Sequence, residues 1–219
     1  MRRDFPIHQP GLNMTPSHPT VPLVAILRGL QPAEAVAVGK VLHQAGFRAL
    51  EVPLNRPGAI ECIAALVKEQ LPDTLIGGGT MLNVGHVEAV YEAGGRLLVS
   101  PNCNPAVIRR AADLGMYCAP GVATPTEAFA ALDAGAHALK LFPADMVGHN
   151  GLKAFNSVVP AGTPMWPVGG ITPDNMEGWV RAGATGFGIG GQLYTPGVSL
   201  DELGRRAAAY VGKWRALAV

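Results

Sequence analysis

The chain has 219 residues, which is enough for one large hydrophobic core but short for two enzymatic domains. Hydrophobic residues make up 48% of it and charged residues 15%, a composition that excludes a disordered chain. The net charge of +1, without a long basic run, gives no support for a nucleic-acid partner. No apolar run reaches the ~18 residues that a membrane span needs, so we expect no membrane partner.

Residues 1–20 are rich in Pro, His and Thr and carry no hydrophobic periodicity. We therefore expect a loosely ordered N-terminal extension, followed by one domain over residues 21–219. The Arg2-Arg3 pair is not followed by an apolar segment, which argues against a secretion signal. Met14 is a second candidate for the start of translation.

From residue 22 onward one unit recurs, in which a helical segment ends in a small residue and a glycine, and a short apolar strand follows. The glycine suits the left-handed conformation that ends many helices. Because the strands lack polar alternation, they predict a parallel sheet that is buried on both faces. In chain order the predicted strands are 23–27, 47–52, 75–78, 97–100, 116–119, 138–142, 165–168 and 186–189.

Helical patterns fill the segments between these strands. Thr124 is followed by Glu127 three positions later, which is typical of a capping box at a helix start. Eight strand–helix units in about 200 residues predict a compact, single-domain (β/α)₈ TIM barrel, with an open doubly wound sheet as the alternative. The predicted helices begin near Pro32, Gly58, Asn83, Asn104, Thr124, Gly151, Asp174 and Ser199.

Two apolar strands each contain one charged residue, Lys140 in one and Glu51 in the other. Both occupy the fifth position after the glycine that ends the preceding helix (Gly135 and Gly46), so we expect both side chains to point into one interior. Burial lowers the pKa of a lysine and raises that of a carboxylate, which favours a nucleophilic amine and an acid–base group. The alternatives are a structural ion pair, or a lysine whose amine reaches water at the strand end.

Glycine pairs follow the last two predicted strands, Gly169-Gly170 and Gly190-Gly191. Barrel enzymes often bind phosphate at these two loops, through backbone N–H groups that no side chain obstructs. The alternative is that these glycines only allow tight turns.

Two further segments are candidates for holding a carboxylate. Gly79 and Thr80 end a small-residue run after the third strand, where backbone can approach a carboxylate or carbonyl closely; the run is not a Walker loop. Arg28 follows the first strand, and its guanidinium suits a bidentate carboxylate contact, although a surface arginine is an equal alternative.

The cysteines and histidines do not have the spacing of metal ligands, so we expect no metal. The cysteines also lack a disulfide pattern, and we expect reduced thiols in a cytoplasmic protein. The residues concerned are Cys62, Cys103, Cys118, His8, His18, His43, His86, His137 and His149.

Taken together, these strand-end segments resemble those of the bacterial aldolases that cleave 2-keto-3-deoxy-6-phosphosugar acids. The likeness runs from about residue 22 to the last helix, and the order of the segments makes it specific. The segments are 25–29 (AILRG), 51–55 (EVPLN), 77–80 (GGGT), 100–102 (SPN), 120–121 (PG), 139–143 (LKLFP), 168–170 (VGG) and 188–191 (GIGG).

The resemblance implies a class I, Schiff-base aldolase with a small phosphorylated keto-sugar acid as substrate, without a cofactor, and a homotrimeric assembly. It implies that Lys140 forms the imine and that Glu51 handles protons. It further implies that Arg28 and Thr80, beside Gly79, hold the pyruvyl carboxylate. The phosphate would be bound at Gly169, Gly170, Gly190 and Gly191.

Two subfamilies of these aldolases differ in the configuration of the sugar acid. The gluconate type resembles this chain less, because it has threonine and arginine where this chain has Pro53 and Asn55, and threonine in place of Val168. We therefore expect the galactonate type, with Phe142 beside these residues as a fourth specificity position. The family often has a serine at Gly191, so we expect the backbone alone to hold the phosphate there.

The residues themselves support the same chemistry. The amine of Lys140 would attack the C2 ketone, and Glu51 would take the C4 hydroxyl proton, directly or through a water, as the C3–C4 bond breaks. Two alternatives remain at this stage: a phosphosugar isomerase or thiamine-phosphate-type synthase on the same barrel, and a catalytically silent phosphosugar-binding protein.

Overall fold

The computed structural model describes residues 18–217, where parallel strands alternate with helices. Each predicted strand is confirmed, with ends within two residues of the prediction. One strand was not predicted: the fifth strand resumes after Pro120 as a short sixth segment. The strands are β1 (Leu23–Ile26), β2 (Ala49–Pro53), β3 (Leu75–Gly79), β4 (Leu97–Val99), β5 (Tyr117–Ala119), β6 (Gly121–Val122), β7 (Leu139–Leu141), β8 (Met165–Pro167) and β9 (Phe187–Ile189).

Seven of the eight helices begin within two residues of the predicted start. Thr124 and Glu127 form the expected capping box, and Gly46 ends the first helix with a φ of 110°. The helices are α1 (Pro32–Ala45), α2 (Ala59–Lys68), α3 (Val84–Glu92), α4 (Pro105–Asp113), α5 (Pro125–Asp133), α6 (Ala144–Asn156), α7 (Met176–Arg181) and α8 (Leu200–Leu217).

The predicted start of the sixth helix near Gly151 was wrong. Helix α6 begins at Ala144, directly after Pro143, and Gly148 interrupts its helical geometry with a φ of 68°. A glycine adopts this left-handed conformation without a Cβ clash, so the chain kinks there and then continues as a helix. Residues 145–150, which precede the predicted start, therefore lie in the first part of α6.

All strand pairs are parallel and form two sheets in the described part of the chain. The larger has the order β5-β4-β3-β2-β1-β9, and the smaller has the order β6-β7-β8. An isolated parallel bridge pairs Val168 with Gly188 at one junction between them. At the other junction the N–H of Ala138, directly before β7, donates to the carbonyl of Cys118 in β5 at 3.1 Å. Backbone hydrogen bonds thus connect the sheets on both sides.

The strands are buried on both faces. Their outward residues pack against the helices in one large cluster, which includes Leu50 and Leu139. Their inward residues form a second cluster that both sheets share, composed of Val24, Ala49, Leu97, Val99, Tyr117, Ala119, Ala138 and Trp166. Because side chains alternate along a strand, the residues two positions after Ala49 and Ala138 face the same interior. Those residues are Glu51 and Lys140.

Aromatic rings fill the interior at the N-terminal ends of the strands. The rings of Tyr117 and Trp166 are stacked, with centroids 5.7 Å apart, and the imidazole of His18 lies 3.0 Å from the Tyr117 hydroxyl. The predicted extension at residues 1–20 falls mostly on residues 1–17, which lie outside the described part of the chain. No helix within residues 18–217 has both the length and the hydropathy to cross a bilayer.

Replacing Gly77 with alanine should destabilise the fold severely. A Cβ at this position of β3 would lie 2.0 Å from the Leu97 carbonyl oxygen of the neighbouring strand, so backbone must move. We expect a loss of about 3 kcal/mol or more in the free energy of unfolding, measured by urea denaturation.

The matched control is Gly212→Ala, because a Cβ on this exposed residue of α8 meets no atom within 4 Å. It should raise stability by about 0.5–1 kcal/mol through helix propensity. A Gly77→Ala protein as stable as this control would contradict the close strand approach.

Candidate active site

Lys140 and Glu51 lie in the interior that the two sheets share. Lys140 is 8% exposed and Glu51 1% exposed, and apolar residues of both sheets surround them. Strand pairing fixes their heights, because Lys140 is in register with Trp166 and Glu51 is in register with Ile26. The prediction that both side chains point into one interior is confirmed.

Burial changes the protonation of both groups. It raises the pKa of Glu51 from 4.5 to about 7, although the positive charges of Lys140 and Arg28 oppose the change. Burial also lowers the pKa of Lys140; the Glu51 charge opposes that change and the Arg28 charge reinforces it. A larger share of Lys140 is therefore the neutral, nucleophilic amine near pH 7 than for an exposed lysine.

The two groups do not form a close ion pair. Within residues 18–217, the ion pairs with N–O distances up to 4.0 Å join side chains of the helices, and Lys140–Glu51 is not among them. The Nζ of Lys140 instead lies 4.9 Å from the centroid of the Phe142 ring. Glu51 Oε2 is buried, and no described group donates a hydrogen bond to it. Glu51 thus has one carboxylate oxygen that the described residues leave without a hydrogen bond.

Gly79 provides the space in which the Glu51 carboxylate lies. Glu51 and Gly79 are on the adjacent strands β2 and β3, and a Cβ on Gly79 would be 1.3 Å from Glu51 Oε2. Any side chain at this position would displace the carboxylate. The predicted contact of Gly79 with a substrate carboxylate stays a prediction.

Thr80 follows β3 in a strained backbone conformation. Its φ of 52° is in the left-handed region, where a β-branched residue is a marked outlier. Such strain costs about 1–3 kcal/mol and often occurs at functional sites. This left-handed conformation changes the direction of the chain directly after Gly79. The carboxylate-binding role of Thr80 stays a prediction.

A cavity of about 340 Å³ lies between the loops that follow β1, β7, β8 and β9. Lys140 and Glu51 do not line it; they line a smaller neighbouring pocket that shares Ile26, Val168 and Gly188 with it. Arg28, Phe142 and Val168 line the larger cavity, as do all four of the predicted phosphate-binding glycines. The full lining is Ile26, Arg28, Phe142, Val168, Gly169, Gly170, Ile171, Gly188, Gly190, Gly191, Gln192, Tyr194, Thr195 and Pro196.

The glycine loops present backbone to this cavity. Gly169 and Gly170 have φ values of 116° and 65°, which only glycine adopts easily. Gly190 begins one helical turn, because its carbonyl accepts the N–H of Tyr194 at 3.0 Å. The first N–H groups of such a turn have no partner within it and favour an anion. A Cβ on Gly191 would meet no atom within 4 Å, so the position is open to the cavity.

Two of the predicted specificity residues lie elsewhere. Pro53 is buried at the end of β2 and Asn55 is exposed in the turn that follows, and neither lines the cavity in the described residues. Three polar residues that the sequence reasoning missed do line it: Gln192, Tyr194 and Thr195. They directly follow the second glycine pair, and their position in that loop was the available signal.

Residues 17–203 match the family model described as KDPG and KHG aldolase. This match covers most of the chain, and the parallel α/β fold with a buried lysine and carboxylate agrees with it. The chain belongs to the KDPG and KHG aldolase family.

Individual proteins of this family are similar to the chain over most of its length. The chain is 46% identical to 2-dehydro-3-deoxy-6-phosphogalactonate aldolase of Escherichia coli (strain K12), over 89% of this chain and 95% of the relative. It is 31% identical to the KHG/KDPG aldolase of the same strain, over 83% of this chain and 84% of the relative. A solved structure described as native KDPGal superposes with a TM-score of 0.89 and 44% identity, covering 91% of this chain and 97% of its own.

The raised pKa of Glu51 predicts a specific dependence of stability on pH. A carboxyl whose folded pKa exceeds its unfolded value stabilises the fold below pH 4.5, and this contribution is lost as the pH rises through about 7. The unfolding free energy of the unmodified protein, minus that of Glu51→Gln, should therefore fall by about 2–3 kcal/mol between pH 4 and pH 8. Urea denaturation of both proteins across this range measures it, and a flat or rising difference would refute the shifted pKa.

Proposed function

We propose that this chain is a class I, Schiff-base aldolase that cleaves 2-dehydro-3-deoxy-6-phospho-D-galactonate to pyruvate and D-glyceraldehyde 3-phosphate. The observation that carries the proposal is a buried lysine amine, Lys140, which lines one small pocket with the buried carboxylate of Glu51, next to a glycine-lined cavity. The name of the 46% identical relative supports the same substrate.

In the proposed reaction, the neutral amine of Lys140 adds to the C2 ketone and forms a carbinolamine. The carbinolamine takes up a proton and loses water, which gives the protonated imine. The imine accepts the electron pair of the C3–C4 bond as that bond breaks, while Glu51 takes the C4 hydroxyl proton. The resulting enamine is reprotonated at C3, and hydrolysis of the imine releases pyruvate. The pKa of Glu51 near 7 suits this exchange, because an acid–base group works best when its pKa is close to the operating pH.

The substrate would span the cavity from Arg28 to the glycine loops. Arg28, with Thr80, would hold the carboxylate end, and the backbone N–H groups of Gly169, Gly170, Gly190 and Gly191 would hold the phosphate. Binding at both ends would orient the ketone towards Lys140 without taking part in the chemistry.

We also propose a closed barrel, a homotrimeric assembly and a cytoplasmic location for this protein. The junctions between the two sheets support a closed (β/α)₈ barrel, since backbone hydrogen bonds cross both of them. The family resemblance supports a homotrimer. The free thiols Cys62, Cys103 and Cys118 and the bacterial source of the relatives support a cytoplasmic location.

Lys140 should be the residue that forms a covalent adduct with pyruvate. Incubation with pyruvate and borohydride reduces the imine to a stable secondary amine, and peptide mass mapping locates the added mass. Lys140→Ala should show no adduct, whereas Lys153→Ala, which removes an exposed lysine of α6, should be labelled as fully as the unmodified protein. An isomerase, a synthase or a silent binding protein would not be labelled, and the absence of label would end the proposal.

Glu51→Gln should still form the imine but should turn over slowly, because the amide cannot take the C4 hydroxyl proton. We expect kcat to fall by about 10²–10⁴-fold. Pyruvate release coupled to lactate dehydrogenase measures kcat, and borohydride trapping measures imine formation in the same preparation. Turnover near the normal rate would show that Glu51 is only a structural neighbour of Lys140.

The unmodified protein should have a higher kcat/KM for the galactonate epimer than for the gluconate epimer, with residual activity on the latter. Val168 is apolar and lines the cavity, so it discriminates by contact alone, which gives about 10–200-fold. Val168→Thr places a hydroxyl there and should narrow or reverse the preference. Pyruvate release from each pure epimer measures the ratio. A preference of the unmodified protein for the gluconate epimer would refute the substrate assignment and leave the aldolase mechanism intact.

A further inference from the structure

We propose that Tyr194 and Glu34 are positioning residues that hold the phosphate-binding turn at a fixed distance from the carboxylate-binding loop. The inference rests on the proposed function and deepens it. Its starting point is a hydrogen bond between residues 160 positions apart: the Tyr194 hydroxyl donates to Glu34 Oε1 at 2.6 Å. Tyr194 is 2% exposed and lines the cavity.

Tyr194 closes the turn that begins at Gly190. Its N–H donates to the Gly190 carbonyl at 3.0 Å, and the N–H of Leu193 donates to the same carbonyl at 2.8 Å. The turn is therefore one rigid unit that carries Gly190 and Gly191 at one end and the Tyr194 ring at the other. Fixing the ring fixes the direction of the first N–H groups of the turn.

Glu34 belongs to the helix that follows β1, the strand paired with β9. It lies in the first turn of α1, and the same Oε1 atom accepts the Gln31 N–H at 3.3 Å in a capping box. The Gln31 side chain in turn donates to the Gly29 carbonyl at 3.0 Å. One carboxylate thus joins the phosphate-binding turn to the short loop that follows Arg28.

Packing reinforces the same connection. Gly29 has a φ of 83°, and a Cβ on it would lie 3.0 Å from Pro196 Cγ, so the two loops are in close contact. Burial raises the pKa of Tyr194, and the carboxylate of Glu34 raises it further, so the hydroxyl remains a donor at all physiological pH values. A hydrogen bond to a charged acceptor is stronger and shorter than a neutral one.

The other glycine pair is anchored differently. The Asn175 amide donates to the Gly170 carbonyl at 2.8 Å, and the Tyr210 hydroxyl donates to the Ile171 carbonyl at 2.8 Å. These bonds connect that loop to α7 and α8 and make no connection to the loop that carries Arg28. The bond from Tyr194 to Glu34 therefore adds a side-chain connection between the second glycine pair and the loop that carries Arg28, which the first pair lacks.

The test compares a ligand that reaches both ends with one that reaches a single end. The phosphorylated six-carbon keto acid spans the cavity, whereas pyruvate has no phosphate. Tyr194→Phe should raise KM for the phosphorylated substrate by about 10–100-fold. The pyruvate concentration that half-labels Lys140 under borohydride should stay within about twofold of normal.

Conservative and control variants separate positioning from stability. Glu34→Gln retains an acceptor and should keep KM near normal, whereas Glu34→Ala should match Tyr194→Phe, and the double variant should add no further loss. The matched control is Tyr117→Phe, which removes a buried hydroxyl bonded to His18 at the opposite end of the strands. It should leave both KM and pyruvate labelling unchanged.

Each outcome decides the proposal. An unchanged KM in Tyr194→Phe or in Glu34→Ala, with normal pyruvate labelling, would overturn it and leave the aldolase function standing. Equal losses for the phosphorylated substrate and for pyruvate would show a general structural role and would also overturn it. If Tyr194→Phe does not fold, the contrast between Glu34→Gln and Glu34→Ala decides the question in the same way. Failure of the unmodified protein to label would instead refute the proposed function.

Discussion

The burial of one amine and one carboxylate in an apolar interior is the constraint on which the rest of the site depends. Neither group would be retained there for stability, because removing a charge from water costs several kcal/mol, and a close ion pair that would offset this cost is not formed. The cost appears as shifted pKa values: Lys140 is less easily protonated and Glu51 less easily ionised. The neutral amine is the form that attacks a carbonyl, and a carboxyl with a pKa near 7 can both accept a proton and return it.

Glycines make this arrangement sterically possible. Gly77 lets β4 approach β3, and Gly79 leaves the space that the Glu51 carboxylate occupies. At the strand ends, Gly169 and Gly170 adopt left-handed conformations that expose the backbone to the cavity. The same residue type thus serves strand packing, the position of a side chain and anion binding, according to what surrounds it.

The repeat of helix, glycine and apolar strand was sufficient to predict eight of the nine strands and seven of the eight helix starts in the described residues. The sixth start was missed because Gly148, which kinks α6, looked like a loop residue. Lys140 and Glu51 were recognisable because a single charge in an apolar strand is rare and alternation fixes its direction.

Contacts between segments that are distant in the sequence could not be predicted from the sequence pattern. The bond from Tyr194 to Glu34 joins residues whose proximity depends on how the last strand, β9, pairs with the first, β1. The space behind Gly79 depends in the same way on the register of β2 and β3. Conversely, Pro53 and Asn55 stand near Glu51 in the sequence, yet the chain turns them away from the cavity.

Burial that depresses the pKa of Lys140 enough to make it the nucleophile is the central claim. The most direct measurement is an NMR titration of the protein with ¹⁵Nζ-labelled lysines, in which the Lys140 signal is assigned by its loss in Lys140→Met. We expect this amine to deprotonate at a pH below 10.5, the ordinary value for lysine. A Lys140 signal that titrates at or above 10.5 would contradict the claim.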